Sequence, residues 1–148
     1  MKQEFDEKDF AILDALEQHG EWTVRRIAKK TLLAPTTVHA RIKKLRNAGV
    51  IERFTIDIDK KRLGLSIGAY ILVSADLKQL KEKHKSQYDV ADEIRKMHGV
   101  EEVHIVTGVS DLVARVRVKD MDSLDKLLLQ RLQLLEGVSK TQTMIIMH

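Results

Sequence analysis

Residues 23 to 49 run 23-TVRRIAKKTLLAPTTVHARIKKLRNAG-49, two apolar periods of helical spacing parted by a short break. Thr23 is a residue type that caps helices, and Val24, Ile27, Ala28 and Thr31 follow it at i, i+3, i+4 and i+7, one face of a short helix. Leu32–Leu33–Ala34 breaks the period. Pro35, the only proline, suits the first turn of a new helix, where a missing N–H costs nothing. Val38, Ile42 and Leu45 form the buried stripe of that helix, and Gly49 is its left-handed stop. Upstream, Asp6 caps a helix with Ile12, Leu13 and Leu16 on one face, ended by Gly20. Three short helices with a three-residue turn between the last two make the helix-turn-helix pattern.

Charge is concentrated on the same stretch. Residues 24–53 carry nine Lys and Arg against the single acid Glu52, whereas residues 4–21 carry one Lys against seven acids. Residues 1–65 hold the whole net charge of +4, and residues 66–148 balance at twelve of each sign. Such a strip suits a phosphate backbone better than a small substrate. The bland alternative is a three-helix bundle with a solvated basic surface. If Val38, Ile42 and Leu45 are buried, Thr36, Thr37 and His39 at the helix start are the candidates for base edges, and Arg41 can reach guanine bidentately. Lys43, Lys44 and Arg46, with Arg25, Arg26, Lys29 and Lys30 on the preceding helix, are candidates for phosphates.

Downstream the period changes from helical to twofold. Arg53–Phe54–Thr55–Ile56–Asp57–Ile58 alternates as a strand with one covered face, and Asp59–Gly64 is a polar break. Ile67–Ala75 predicts a strand, 76–85 a Lys-rich loop, 86–98 a helix with Val90, Ala91, Ile94 and Met97 inward, and 102–107 and 112–118 two strands around Gly108–Asp111. Residues 123–135 predict a helix with Leu124, Leu127, Leu128 and Leu135 inward, and Val138–Met147 a last strand. The order is βαββαβ, a ferredoxin-like arrangement, and the Gly-Val pairs 99–100 and 137–138 mark a weak internal repeat. The fold class is therefore α+β. A helix-turn-helix, winged-helix-like domain over 1–52 leads through a connecting strand and hinge at 53–65 to a ferredoxin-like domain over 66–148. A ferredoxin-like unit of this size leaves a sheet face to cover, and a 53–58 strand on an isolated monomer would be an unpaired edge; both predict a homodimer.

Composition narrows the chemistry. With no cysteine in 148 residues, disulfides, thiolate metal sites and cysteine nucleophiles are excluded. His19, His39, His84, His98, His104 and His148 show no metal-ligand spacing, and no nucleophile–base pair stands out, so neither an enzyme nor a cofactor or metal is expected. The start MKQEFDEKDF lacks an apolar secretory core and no run approaches a membrane span, so the expectation is a cytoplasmic protein with no membrane partner.

Residues 6–64 resemble the N-terminal half of the Lrp/AsnC (feast/famine) transcription regulators. The residues carrying the likeness are Asp6–Asp9 with Ile12–Leu13, Ile27–Lys30, the run Pro35–Leu45, Gly49–Thr55 and Leu63–Gly64. The second half resembles the family's ligand-binding domain through Gly99–Val100, Thr107–Asp111 and Thr141–Gln142–Thr143. Ala34 departs from the pattern, because it stands where the family usually has a hydroxyl cap before the proline. The resemblance implies a regulator of double-stranded DNA whose dimers assemble further, often to octamers. It also implies an amino acid or related small molecule bound between subunits near the Gly-x-x-Asp turn. By position it places Gly108, Asp111, Thr141 and Thr143 at that effector site, although Gly-x-x-Asp between strands is also an ordinary hairpin turn. Two other readings stand beside it. One is an architectural DNA-binding protein without effector. The other is a subunit resembling haem-pathway decarboxylases, which would not need the basic strip.

Overall fold

In the computed structural model, residues 5–147 are described; His148 lies outside them. The chain divides into two compact units between Ile58 and Asp59.

The first unit is helical: α1 spans Glu7–Gln18, α2 Val24–Thr31 and α3 Pro35–Asn47. Asp6 caps α1 by accepting from the N–H groups of Lys8 and Asp9, and Asp9 returns the contact by accepting from the N–H of Asp6, a reciprocal box. The helix closes on His19, one residue ahead of the expected Gly20. Thr23 caps α2 as expected. Ala34 gives α3 no side-chain cap, and Pro35 opens it. At the far end Gly49 adopts φ +73°, so that its N–H reaches the carbonyl of Arg46 and that of Val50 reaches Leu45, the paired bonds of a Schellman stop. Ile12, Ala15, Ile27, Ala28, Val38 and Leu45 form the core, with Ile42, Trp22 and Ile51 packed against it.

Residues 53–58 are not a strand. The alternation is present, with Phe54, Ile56 and Ile58 exposed by 52, 78 and 45%, but a strand is defined by its ladder and the four strands of the sheet all lie further on.

The second unit holds β1 (Ile67–Ala75), α4 (Leu77–Glu82), α5 (Gln87–Arg95), β2 (Val100–Ile105), β3 (Leu112–Val118), α6 (Met121–Gln130) and β4 (Val138–Ile145). The sheet runs β2-β3-β1-β4 and every pair is antiparallel, the ferredoxin-like order. Ala69, Ile71 and Val73 of β1 and Leu112, Ala114, Val116 and Val118 of β3 point to the face that packs with Val90, Ala91, Ile94, Leu124, Leu127 and Leu132.

Several boundaries differ from the sequence reading: the helix expected at 86–98 ends at Arg95, and the strand expected at 138–147 ends at Ile145. The expected loop at 76–85 contains α4, because Asp76 accepts from the N–H groups of Lys78 and Gln79 and Leu80 is buried against the core. The last helix begins earlier, behind the cap Asp120, and breaks at Arg131 into a 3₁₀ turn, Leu132–Leu134. That turn buries Leu132 and leaves Leu135 and Leu128 only partly covered. The strand expected at 102–107 is displaced to 100–105 and carries a bulge at Glu101. At Gly137, φ is +86° and a Cβ would stand 2.2 Å from Cδ2 of Leu80, so only glycine lets β4 start beside α4.

Candidate functional site

Burial of Val38 and Leu45, both without exposed surface, decides which way α3 faces. At 100° per residue the opposite side carries Thr36, Ala40, Lys43 and Asn47, all exposed, with exposed His39 and Arg46 beside them. Ala40 and Asn47 were not among the residues singled out from sequence; helical spacing alone would have found them. Thr37 is half-buried. Arg25, Arg26, Lys29 and Lys30 of α2 are exposed. The guanidinium of Arg26 lies 4.8 Å from the centre of the Trp22 ring, which also stacks on His19 at 3.9 Å. Arg46 lies 5.9 Å from the ring of Phe54.

Arg41 and Lys44 are engaged inside the unit. Nη1 of Arg41 donates to Oδ1 of Asp6 at 2.7 Å and to Oδ1 of Asp9 at 2.8 Å. Nζ of Lys44 donates to Oδ2 of Asp9 at 2.8 Å and sits 5.2 Å from the Phe5 ring. Asp9 has no exposed surface. Burial alone would push its carboxyl up, but hydrogen bonds from Lys44, Arg41 and the Asp6 N–H outweigh it and hold the group down at about 2. Asp6 is lowered, first by the Arg41 hydrogen bond and then by the Asp9 N–H, and Arg41 is raised by Asp6 and Asp9 in turn. The expectation that Arg41 reads guanine therefore meets a side chain already held against α1. A shallow depression at the start of α3 is lined by Asp6, Thr36, Thr37, Ala40, Arg41 and Lys44. The uncapped first turn of the helix points its positive dipole end outward there.

In the second unit, Gly108 is exposed at φ +135° in the turn between β2 and β3. Asp111 closes that turn. Its N–H donates to the carbonyl of Val73, Oδ2 accepts from the Ala75 N–H at 2.8 Å, and Oδ1 accepts from Nε2 of Gln87 at 2.8 Å. The side chain thus ties the turn to the end of β1 and the start of α5. Gln87, 24 positions away, gave no local signal of this role. Thr141 stands across from Val73 and Thr143 across from Ile71, both half-buried on the core-facing side of the edge strand β4. Oγ1 of Thr141 accepts from Nε2 of Gln133. Asp111 and Thr141 thereby flank the end of β1 from its two neighbouring strands; Thr143 lies two residues further along. Among the described residues no three His, Asp or Glu converge as a metal-binding group, and no helix is long and apolar enough to cross a membrane.

Comparison with known proteins matches each unit separately. Residues 5–52 match the winged helix-turn-helix DNA-binding model, and residues 69–148 match the Lrp/AsnC ligand-binding domain. An HTH-type transcriptional regulator of Pyrococcus furiosus is 34% identical over 145 residues, covering 98% of this chain and 94% of that protein. The HTH-type transcriptional regulator FL11 of Pyrococcus horikoshii is 37% identical over 147 residues, covering 99% and 92%. Among solved structures, a transcriptional regulator of Neisseria meningitidis in complex with L-methionine superposes with a TM-score of 0.88 at 25% identity, covering 98% of this chain and 91% of that one. AsnC of E. coli superposes at 0.84 and 24% identity, covering 98% and 93%, a likeness of fold.

Proposed function

The chain belongs to the Lrp/AsnC family of transcriptional regulators, and from that premise we propose that it binds specific, short pseudo-palindromic sites in double-stranded DNA as a homodimer. The observation that carries this reading is the division of α3 into a buried stripe, Val38 and Leu45, and an exposed polar face, together with the four exposed cations of α2. Thr36, Thr37 and His39 stand at the end of the helix that enters a major groove most deeply, and Lys43, Arg46, Arg25, Arg26, Lys29 and Lys30 are placed for phosphates. The chain works in the cytoplasm and catalyses no reaction. Selection of duplexes from a random library, followed by mobility shift, tests the reading. Replacing Lys43, Arg25 and Arg26 together by alanine should abolish the shift, and undiminished binding would reject the assignment of α2 and α3.

The dimer is supported by the exposed Phe54, Ile56 and Ile58 row, which has the alternation of a strand and lacks a ladder in the single chain. Sedimentation of Ile56→Lys against the unmodified chain tests it; an unchanged assembly size counts against that segment. The effector half of the proposal is an amino acid or related molecule bound near Gly108, Asp111, Thr141 and Thr143 that shifts the balance of assembly states, up to octamers. It is supported by the L-methionine held by the Neisseria regulator. Because Asp111 already accepts from Ala75 and Gln87, it would act chiefly by shaping the turn whose backbone holds the ligand. A thermal-shift and sedimentation screen of the twenty amino acids should find one that raises Tm or changes size; none doing so would end this half of the proposal.

A further inference from the structure

Helix α3 carries four cations, Arg41, Lys43, Lys44 and Arg46. The carboxylate of Asp9 takes two of them, one on each oxygen: Arg41 on Oδ1 and Lys44 on Oδ2, both at 2.8 Å. Asp6 adds a second contact to the same Nη1 of Arg41. Asp9 is itself pinned, since Oδ2 also accepts from the N–H of Asp6 and no part of the residue reaches solvent. A carboxylate oxygen and a phosphate oxygen make the same demand on a guanidinium or ammonium group. A cation that is already matched by a buried anion adds little to the release of counterions that drives sequence-independent DNA binding. The two cations sit on the flank of α3 that turns toward α1, and the outward line of Thr36, Ala40, Lys43 and Asn47 lacks an acid.

Resting on the DNA-binding reading above, we infer that Asp9 is a positioning residue for specificity: by holding Arg41 and Lys44 it keeps them from the phosphate backbone. The sequence-independent part of the affinity falls, and discrimination is left to the outward face of α3. Position 9 thereby acts on DNA without touching it. Lys43 and Lys44 are adjacent in sequence and unequal in function, since Lys43 is exposed and Lys44 is committed to α1.

The test is fluorescence anisotropy of the full chain over a salt series. It uses a duplex of random sequence and a duplex enriched from a library by the unmodified protein. Asp9→Asn, which keeps the shape and removes the charge, should steepen the dependence of log K on log salt by about 1, near 0.9 for a cation released, since Asp6 still holds Arg41. It should also raise random-duplex affinity about tenfold at low salt and lower the ratio of enriched to random binding. Lys43→Gln should flatten the slope by about 1, and Lys44→Gln should leave it near that of the unmodified chain. A folded Asp9→Asn chain with an unchanged slope, or with weaker random-duplex binding, overturns the inference, because a purely structural Asp9 would give that result. Should Asp9→Asn fail to fold, the lysine pair decides: equal flattening by Lys43→Gln and Lys44→Gln overturns the inference, and flattening by Lys43→Gln alone upholds it. Failure of the unmodified chain to bind either duplex would instead reject the DNA reading itself, and this inference with it.

Discussion

In the helical unit Asp9 receives Arg41 and Lys44 at 2.8 Å each, with every oxygen hydrogen-bonded and no surface exposed. On the sheet, Glu101 lies among Lys60, Arg115 and Arg117, but Nε of Arg115 is 3.2 Å away, Nε of Arg117 is 3.9 Å away, and both of those nitrogens are buried without a hydrogen-bond partner. Each centre matches one acid with more than one cation. They differ in geometry. Asp9 sits on a regular helix whose capping box orients its carboxylate, whereas Glu101 sits at a bulge in β2 and points at arginines on the strand beside it. Satisfied donors make a buried ion pair rigid, and unsatisfied ones leave the desolvation cost of the charges uncompensated. The first centre is complete within one chain; the second retains unused donors on the sheet face that the helices do not cover.

The contrast predicts unequal mutational costs. Asp9→Ala removes the capping contact and the buried anion that Arg41 and Lys44 share, while Asp6 still holds Arg41. Breaking a buried pair costs about 3–5 kcal/mol, and partial exposure of Arg41 and Lys44 reduces this to about 2–3 kcal/mol. Trp22 is the only tryptophan and lies in the helical unit, so urea titration followed by its fluorescence reports that unit alone. Asp9 also predicts an acid transition. Its carboxyl titrates near 2 in the folded chain against an ordinary 3.8. The stabilisation is therefore fully present above about pH 4 and is lost as pH falls toward 2, amounting to about 2 kcal/mol. Trp22-monitored stability should fall over that window in the unmodified chain and much less in Asp9→Asn; parallel curves would show that other groups govern the transition. Glu101→Gln should cost only about 1 kcal/mol by far-UV dichroism, because the two arginine contacts it weakens are poorly aligned and its one close bond, from Nζ of Lys60 at 2.5 Å, joins a side chain that is 38% exposed. A cost equal to that of Asp9→Ala would erase the distinction between the two centres.

Why Asp9 was not legible in the sequence, while so much else was, follows from the range of the signals. Thr23, Pro35 and Gly49 act on backbone within three residues, and Val38, Ile42 and Leu45 declare a face by spacing alone, so the helix-turn-helix could be read without tertiary knowledge. The βαββαβ order was legible for the same reason, through alternation in β3 and the Gly-Val entries to β2 and β4. The partners of Asp9 are 32 and 35 positions away, and Gln87 meets Asp111 across 24. No local rule specifies such meetings. A hint did exist: Asp9, Ile12 and Leu16 share one face of α1 at i, i+3 and i+7, and an acid on an apolar face needs a cation from elsewhere. At 53–58 the local rule pointed the other way, because alternation describes a strand's faces and says nothing of whether a neighbour is there to complete it. α4 was missed because one turn of helix offers too few periods to count, although Asp76 was a readable cap.

The smallest expected effect is the sharpest probe of the sheet centre. Gly68 of β1 lies under Arg117: a Cβ there would meet Cζ and Nη2 of Arg117 and Cδ1 of Ile146, each at 3.2 Å. Alanine would have to displace the end of a flexible side chain by a few tenths of an ångström, while it recovers up to about 1 kcal/mol that glycine loses within a strand. If the guanidinium is held as loosely as its unpaired Nε implies, the two effects cancel and Gly68→Ala changes the stability of the sheet unit by less than about 0.5 kcal/mol. A loss above about 2 kcal/mol would mean that Arg117 is locked in place as firmly as Arg41. The unpaired nitrogens would then be a detail of angle, and the two charge centres would be equally complete.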